Sequence, residues 1–433
     1  MKLKQLISAG VIGLLVSASA HSAVRSEEKA MINAIDKNKA NAIKLLEKSV
    51  SINSGTMNFA GVKAVAEHLL PEFKALGFTA QFVDGSAFKR AGHLVATIEG
   101  GSGPKMLLIG HLDTVFEPDS PFQRVTYIDK NTMSGPGVSD MKGGNIIMLE
   151  ALRALASIGV LKKMNIKVVL TGDEELSGRP LNLSKASLIE AAKWADIALG
   201  FENGDGNPKT VNTSRRGSVD WTLTVTGVSS HSSQVFKPNI GAGAIYETSR
   251  ILNQFYEELR SEPMLTFNPG RMLGGTDVKH DRAGNQGTAF GKNNVVAEHA
   301  VVTGDIRAIS QEQLTRVQQK MQTIVSRNLP KTSAVIQFGE GYPAMAPTEG
   351  NMKLLKMYSA VSVDLGQGEV TSVDPINAGA ADVSFAADHV DMALDGLGMS
   401  GSGNHTVKEV AVLPALPLQA KKAAILMYRL YKP

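Results

Sequence analysis

Two stretches of the chain end apolar runs on groups able to hold a divalent cation. In the first, Met106-Leu107-Leu108-Ile109 closes on Gly110-His111-Leu112-Asp113. A short apolar run bounded by Gly reads as a buried strand. Side chains alternate along an extended backbone, so His111 and Asp113 leave its carboxyl end on one face. A His can bind a metal through one ring nitrogen while a carboxylate holds the other N–H and fixes the tautomer. In the second stretch, residues 166–170 run straight into Thr171-Gly172-Asp173-Glu174-Glu175. Three adjacent acids at a strand end repel one another; without a cation the site is unfavourable or one carboxyl keeps its proton. Neighbours on an extended backbone point in different directions, so one glutamate can ligate while the other serves a reacting water as general base.

Other groups stand in comparable settings. Asp140 lies in the loop Gly135-Pro136-Gly137-Val138-Ser139-Asp140-Met141-Lys142-Gly143-Gly144, where the backbone can approach a ligand closely. Glu202 ends the apolar run that starts at Ala195, and a glycine-rich loop from Gly396 to Gly403 delivers His405. His231 sits in a Ser/Gly-rich loop, where function is commoner than packing. Taken singly, these residues leave plainer readings open: a satisfied His, a solvated acidic turn, a solvent-facing Glu202. Ser232 and Ser233 neighbour His231, but the chain has no Gly-x-Ser-x-Gly elbow, which argues against serine catalysis. His68 and His93 read as structural, and His280, His299 and His389 have no nameable partner.

The elements that must position these groups alternate between strand and helix, which argues for an α/β domain. Helical periodicity runs from about residue 27 to 77 with a break at Asn53-Ser54-Gly55. Residues 78–83, 93–98 and 106–109 read as strands, the last two joined through Gly100-Gly101-Ser102-Gly103 as a hairpin-like turn. Residues 145–158 read as a helix. From Arg215-Arg216-Gly217 the texture changes: Trp221, Leu223 and Val225 alternate with threonines, as in a sheet with one exposed face. The α/β pattern resumes near Tyr342. The expected organisation is a leader over 1–23, a catalytic domain over 24–215 and 341–433, and an inserted α+β domain over 216–340.

Composition bounds the chemistry. The 433 residues carry a formal charge of +4 and no long basic block, so nucleic acid is not an expected partner. Cysteine is absent, so any metal must be held by His and carboxylates. Lys2 and Lys4, the apolar residues 6–16, and the small-x-small triplets ending at Ala20 and Ala23 read as a secretory signal. The mature protein is expected to be exported, periplasmic or secreted, with no attachment to a membrane once the leader is removed.

Taken together and in order, His111-x-Asp113, Asp140, Glu174-Glu175, Glu202 and His405 resemble the M20 family of zinc peptidases and deacylases, closest to its glutamate carboxypeptidase branch. The resemblance implies a zinc-exopeptidase-like catalytic domain, with a mixed sheet flanked by helices, and an inserted dimerisation or lid domain. It implies two Zn2+ per subunit, with Co2+ or Mn2+ also suited to such ligands. His111 would bind one ion with Asp113 orienting it, and Glu202 would complete that site. Asp140 would bridge both ions, and Glu175 and His405 would hold the second. Glu174 would be the general base, and the Asp140–Met141 peptide would be cis. In the lid, His231 would reach the neighbouring subunit's active site to stabilise an oxyanion. Asn294 and Arg307 would bind substrate, Arg307 clamping a carboxylate, and Gly379 would lie near it; a surface ion pair is the plainer reading of Arg307. The expected function is cleavage of an amide bond adjacent to a free carboxylate, releasing a C-terminal amino acid such as glutamate from a small peptide, by a homodimer. An N-acyl amino acid deacylase is the alternative. A periplasmic binding protein that has lost catalysis is the rival class, against which the intact Glu174 speaks.

Overall fold

Apolar strands that carry buried residues on both faces organise the larger part of the chain. The structure is a computed structural model that describes residues 24–281 and 285–432; the expected leader lies outside the described residues. Strands β1 (Thr79–Asp84), β2 (Gly92–Ile98), β3 (Lys105–His111), β4 (Asn165–Thr171) and β5 (Ile197–Gly200), with the edge strand Met392–Leu394, form one mixed sheet. Its spatial order is β1-β2-β4-β3-β5-edge. The first two pairings are antiparallel and the remaining three parallel.

Along β3, Met106 and Leu108 join one core and Leu107 and Ile109 another, because successive side chains point to opposite faces. Helices α1 (Ser26–Val50), α3 (Lys142–Ser157) and the C-terminal helix Ala415–Tyr431 fill the first core together with α2 (Phe59–Ala75). Helix α4 (Ala186–Trp194) covers the second through Leu188, Ala191 and Ala192. Parallel strands buried on both faces read as continuous apolar runs, which is why they stand out in the sequence.

The expected hairpin between residues 93–98 and 106–109 is not formed. Strand β4 lies between β2 and β3, antiparallel to one and parallel to the other. The intervening glycines are tied to the start of β4 instead. Gly101 exchanges hydrogen bonds with the Asn165 amide, both at 3.1 Å. A Cβ on Gly101 would meet Lys163 O at 2.0 Å, so only glycine allows that approach.

A second, wholly antiparallel sheet is built from β6 (Gly217–Thr226), β7 (Thr266–Gly275), β8 (His299–Ala308) and β9 (Ser333–Phe338), in the order β7-β8-β6-β9. Val219, Trp221, Leu223 and Val225 are buried on one face against α5 (Ala244–Leu259) and α6 (Gln311–Val325), while Asp220 and Thr224 are exposed on the other. A further hairpin, Asp277–Asp281 with Gln286–Phe290, adjoins this sheet. The chain enters and leaves this unit side by side, through antiparallel bridges between Arg215 and Met345 and between Ser218 and Tyr342.

A small third sheet joins Gly401–Ser402, Val410–Val412, Thr132–Ser134 and Thr126–Asp129. It fastens the loop bearing His405 to the segment that leads into Asp140. Among the described residues no helix is long and apolar enough to cross a membrane.

Candidate metal centre

The parallel register lines up three strand ends, and the candidate ligands leave from them. His111 is the last residue of β3 and pairs with Thr171, the last of β4. Beyond Gly200, Phe201 continues the ladder by donating to Ile109 O, which sets Glu202 beside His111. Such carboxyl ends of strands are where open α/β sheets build sites. The fourth approach comes from the start of α3. Gly144 packs so closely on the chain just beyond β5 that a Cβ there would meet Phe201 O at 2.0 Å. That contact brings Asp140 up to the strand ends.

Asp140 faces a different imidazole with each oxygen. His111 Nε2 lies 3.3 Å from Asp140 Oδ1 and 3.3 Å from Glu202 Oε1. His405 Nε2 lies 3.2 Å from Asp140 Oδ2 and 3.1 Å from Glu175 Oε2. Donor atoms of His111, Asp140 and Glu202 fall within 4.8 Å of one another, as do those of Asp140, Glu175 and His405, and those of His111, Glu174 and Glu175. Glu175 Oε1 is buried without a hydrogen-bond partner. Imidazoles and carboxylates so grouped, with an orphaned carboxylate oxygen among them, fit one or two borderline divalent ions. The Asp140–Met141 peptide is cis.

The electrostatics of the cluster point the same way. Burial drives the Glu174 carboxyl well above the ordinary range; His111 opposes this, and Glu202 and Glu175 add to it. Burial also raises Glu175, and it pushes Glu202 up to about 7. Asp140 is lowered despite its burial, because His111 and His405 hydrogen-bond to it. Asp140 and Glu175 in turn raise His405 to about 11. Burial works against a charged His111, yet Glu202, Asp113 and Asp140 hold its proton well above the usual range. A cation bound there would displace the protons that His111 and His405 hold.

Buried acids outside the ligand set fix the backbones that carry it. Asp113 is fully buried and accepts from Glu174 N and Glu175 N, each at 3.1 Å, and from the Thr56 hydroxyl at 2.7 Å. His111 Nδ1 lies 3.0 Å from the Asp113 carbonyl and 3.4 Å from its carboxylate, so the backbone oxygen is the nearer group. Glu409 accepts from the backbone N–H groups of Gly137, Ser139 and Asp140. Asp395 accepts from Glu202 N at 3.2 Å and receives Arg215 Nε at 2.7 Å. Sequence reasoning missed Glu409 and Asp395 in these roles. Asp173 corrects the reading of three mutually repelling acids. It turns from the cluster to the buried Lys185 at 2.9 Å and also accepts from Gly178 N.

The remaining candidates lie apart. His231 is exposed, with Nδ1 2.9 Å from Ser233 Oγ. Ser232 N donates to Asn294 O at 2.8 Å, which sets His231 and Asn294 at one corner of the second unit. Arg307 Nε donates to Asp305 Oδ2 at 3.1 Å, the surface ion pair that its position in the sequence also allowed. Gly379 O accepts from Arg215. Among the described residues, no hydrogen bond or ion pair joins His231, Asn294 or Arg307 to the cluster around Asp140.

A family model described as Peptidase family M20/M25/M40 matches residues 107–428. Carboxypeptidase G2 of Pseudomonas sp. (strain RS-16) is 28% identical over 387 residues, covering 89% of this chain and 88% of that protein. A probable succinyl-diaminopimelate desuccinylase of Staphylococcus epidermidis is 29% identical over 174 residues, 39% of this chain and 40% of that protein. Aminopeptidase PepT of Bacillus cereus shares the fold at a TM-score of 0.69 and 18% identity, over 91% of this chain and 99% of that one. The metallo-carboxypeptidase Sso-CP2 of Sulfolobus solfataricus does so at a TM-score of 0.62 and 16% identity, over 90% of this chain and 99% of that one.

Proposed function

The chain belongs to peptidase family M20/M25/M40 and is a hydrolase acting on C–N bonds, and from that premise we propose that it is a dinuclear zinc carboxypeptidase. In this reading it cleaves an amide bond next to a free carboxylate and releases a C-terminal amino acid, glutamate foremost. The observation that carries the reading is Asp140, with one imidazole and one glutamate on each side of it. His111 and Glu202 would hold one ion, Glu175 and His405 the other, and Asp140 both. Bound there, such ions would acidify a water and polarise the scissile carbonyl.

The chain's own residues supply the rest. Glu174 takes the proton of the attacking water and passes it to the leaving nitrogen. A half-buried carboxylate, costly to keep charged, is suited to both halves of that task. Asp113 keeps Glu174 and Glu175 in place by accepting from both backbones. Arg307 exchanges its half-buried partner Asp305 for the substrate carboxylate, and His231 from a second copy of the chain donates to the developing oxyanion. Pairing through the second unit is supported by its exposed Phe236, Tyr246 and Phe290. The leader-like residues 1–23 support export, to the periplasm or beyond.

Similarity to a carboxypeptidase along most of the chain supports the release of a C-terminal residue. The shorter match to a desuccinylase favours a second reading, deacylation of N-acyl amino acids. Zinc-loaded protein assayed on peptidyl-glutamates, N-acyl amino acids and their C-terminal amides separates the two. We expect fastest turnover on peptidyl-glutamates, and a fall of about 100- to 10,000-fold in Glu174→Gln. Fastest turnover on N-acyl amino acids would favour the deacylase, and a preference for the amides would remove the role given to Arg307. Undiminished turnover in Glu174→Gln would end the assignment of the base.

A further inference from the structure

Behind Glu174 lies a buried polar cluster that the proposed mechanism does not use. Lys185 is fully buried, its Nζ 2.9 Å from Asp173 Oδ1 and 3.0 Å from Asp382 Oδ1. Asp382 also accepts from the Thr171 hydroxyl. The Tyr342 hydroxyl enters this cluster from the segment that returns out of the second unit. It lies 2.9 Å from the Glu174 carbonyl oxygen, 3.2 Å from Asp382 Oδ1 and 2.9 Å from Ser177 Oγ. A phenol carries one proton. Lys185 already faces Asp382 Oδ1, so the shorter contact, to Glu174, receives that proton, and Ser177 donates to the phenol oxygen.

The rest of Tyr342 is equally fixed. Its ring packs edge-on against Phe385 with centroids 4.9 Å apart, and the Lys185 ammonium stands 5.5 Å from the ring centre. Its backbone exchanges two hydrogen bonds with Ser218, both of 3.0 Å. Ser218 is the second residue of β6, by which the chain enters the second unit. One residue therefore clasps the crossing between the two units with its backbone and holds Glu174 with its side chain.

We propose that Tyr342 is a positioning residue that ties the Glu174 backbone to this crossing and keeps the proton-carrying carboxyl in register with the substrate-binding unit. The proposal rests on the reading of Glu174 as the general base. Its loss acts on the chemical step, because a misplaced carboxyl slows proton transfer without changing how substrate is held.

Tyr342→Phe removes the hydroxyl and leaves the ring. In zinc-loaded enzyme, we expect kcat to fall about tenfold while KM stays within about twofold. Zinc content and unfolding temperature should stay at the wild-type values. Ser177→Ala spares the bond from Tyr342 to Glu174 and should keep kcat within about twofold. Wild-type kcat in Tyr342→Phe would overturn the proposal. So would an equal loss in Ser177→Ala, or a loss that came with zinc release, either of which marks a merely structural role. Glu174→Gln, measured alongside, tells the two failures apart: if it abolishes turnover while Tyr342→Phe does not alter kcat, only the role of Tyr342 falls.

Discussion

Asp140 spends one oxygen on each imidazole, and so depends on its own backbone being held from elsewhere. Glu409 does that holding. It is fully buried, and three N–H groups of one loop, those of Gly137, Ser139 and Asp140, converge on it. It also lies four positions after His405, so one short segment fixes a ligand and the support of its partner. Groups behind a metal's own ligands set ligand orientation, and removing one typically weakens binding about 10- to 100-fold. Glu409→Gln keeps the size of the side chain but replaces an acceptor oxygen by a donor. We expect zinc affinity, measured by competition with a chromophoric chelator, to fall by about that factor. An affinity equal to wild type would show that the loop holds Asp140 without Glu409.

At the scale of the elements, the strands that lead to His111 and Glu175 were legible because burial on both faces makes largely apolar runs, broken in the second by Lys167, that end abruptly in polar groups. Sheet order was not legible. Gly-Gly-Ser-Gly suits a tight turn, and nothing local tells that Asn165 recruits it to β4. The strand Gln286–Phe290 is exposed along its length, so it shows no apolar alternation to read. Asp395 and Glu409 were hidden for another reason: their partners are backbone groups 193 and about 270 residues away in the chain. The C-terminal helix carries a similar hidden charge, Lys422, fully buried with its ammonium donating to Pro208 O. Burial lowers this ammonium from 10.5 to about 8. A lysine depressed on folding binds its proton more tightly when unfolded, so stability rises with pH between those two values. Below about 8 both states are protonated and the cost of burying the charge is felt in full. Lys422→Met should therefore raise the unfolding temperature at pH 7, and its advantage over wild type should shrink as pH approaches 10. A difference between the two proteins that does not change with pH would contradict this account.

Across the whole molecule, the first sheet sets three strand ends side by side, α3 brings the loop of Asp140 over them, and the third sheet carries His405 to the open side. Residues from 111 to 405 meet in this way, and buried acids that would otherwise repel one another surround a space suited to cations. In the proposed reading the second unit, joined at Arg215–Met345 and Ser218–Tyr342, would present Arg307 and His231 to a substrate. In the proposed reading Asp140 is shared by two ions. Anomalous diffraction at the zinc edge, from crystals of zinc-loaded protein, tests it most directly. We expect two peaks per chain on either side of Asp140, one bounded by His111 and Glu202 and the other by Glu175 and His405. A single peak, or peaks that leave Asp140 unligated, would contradict it.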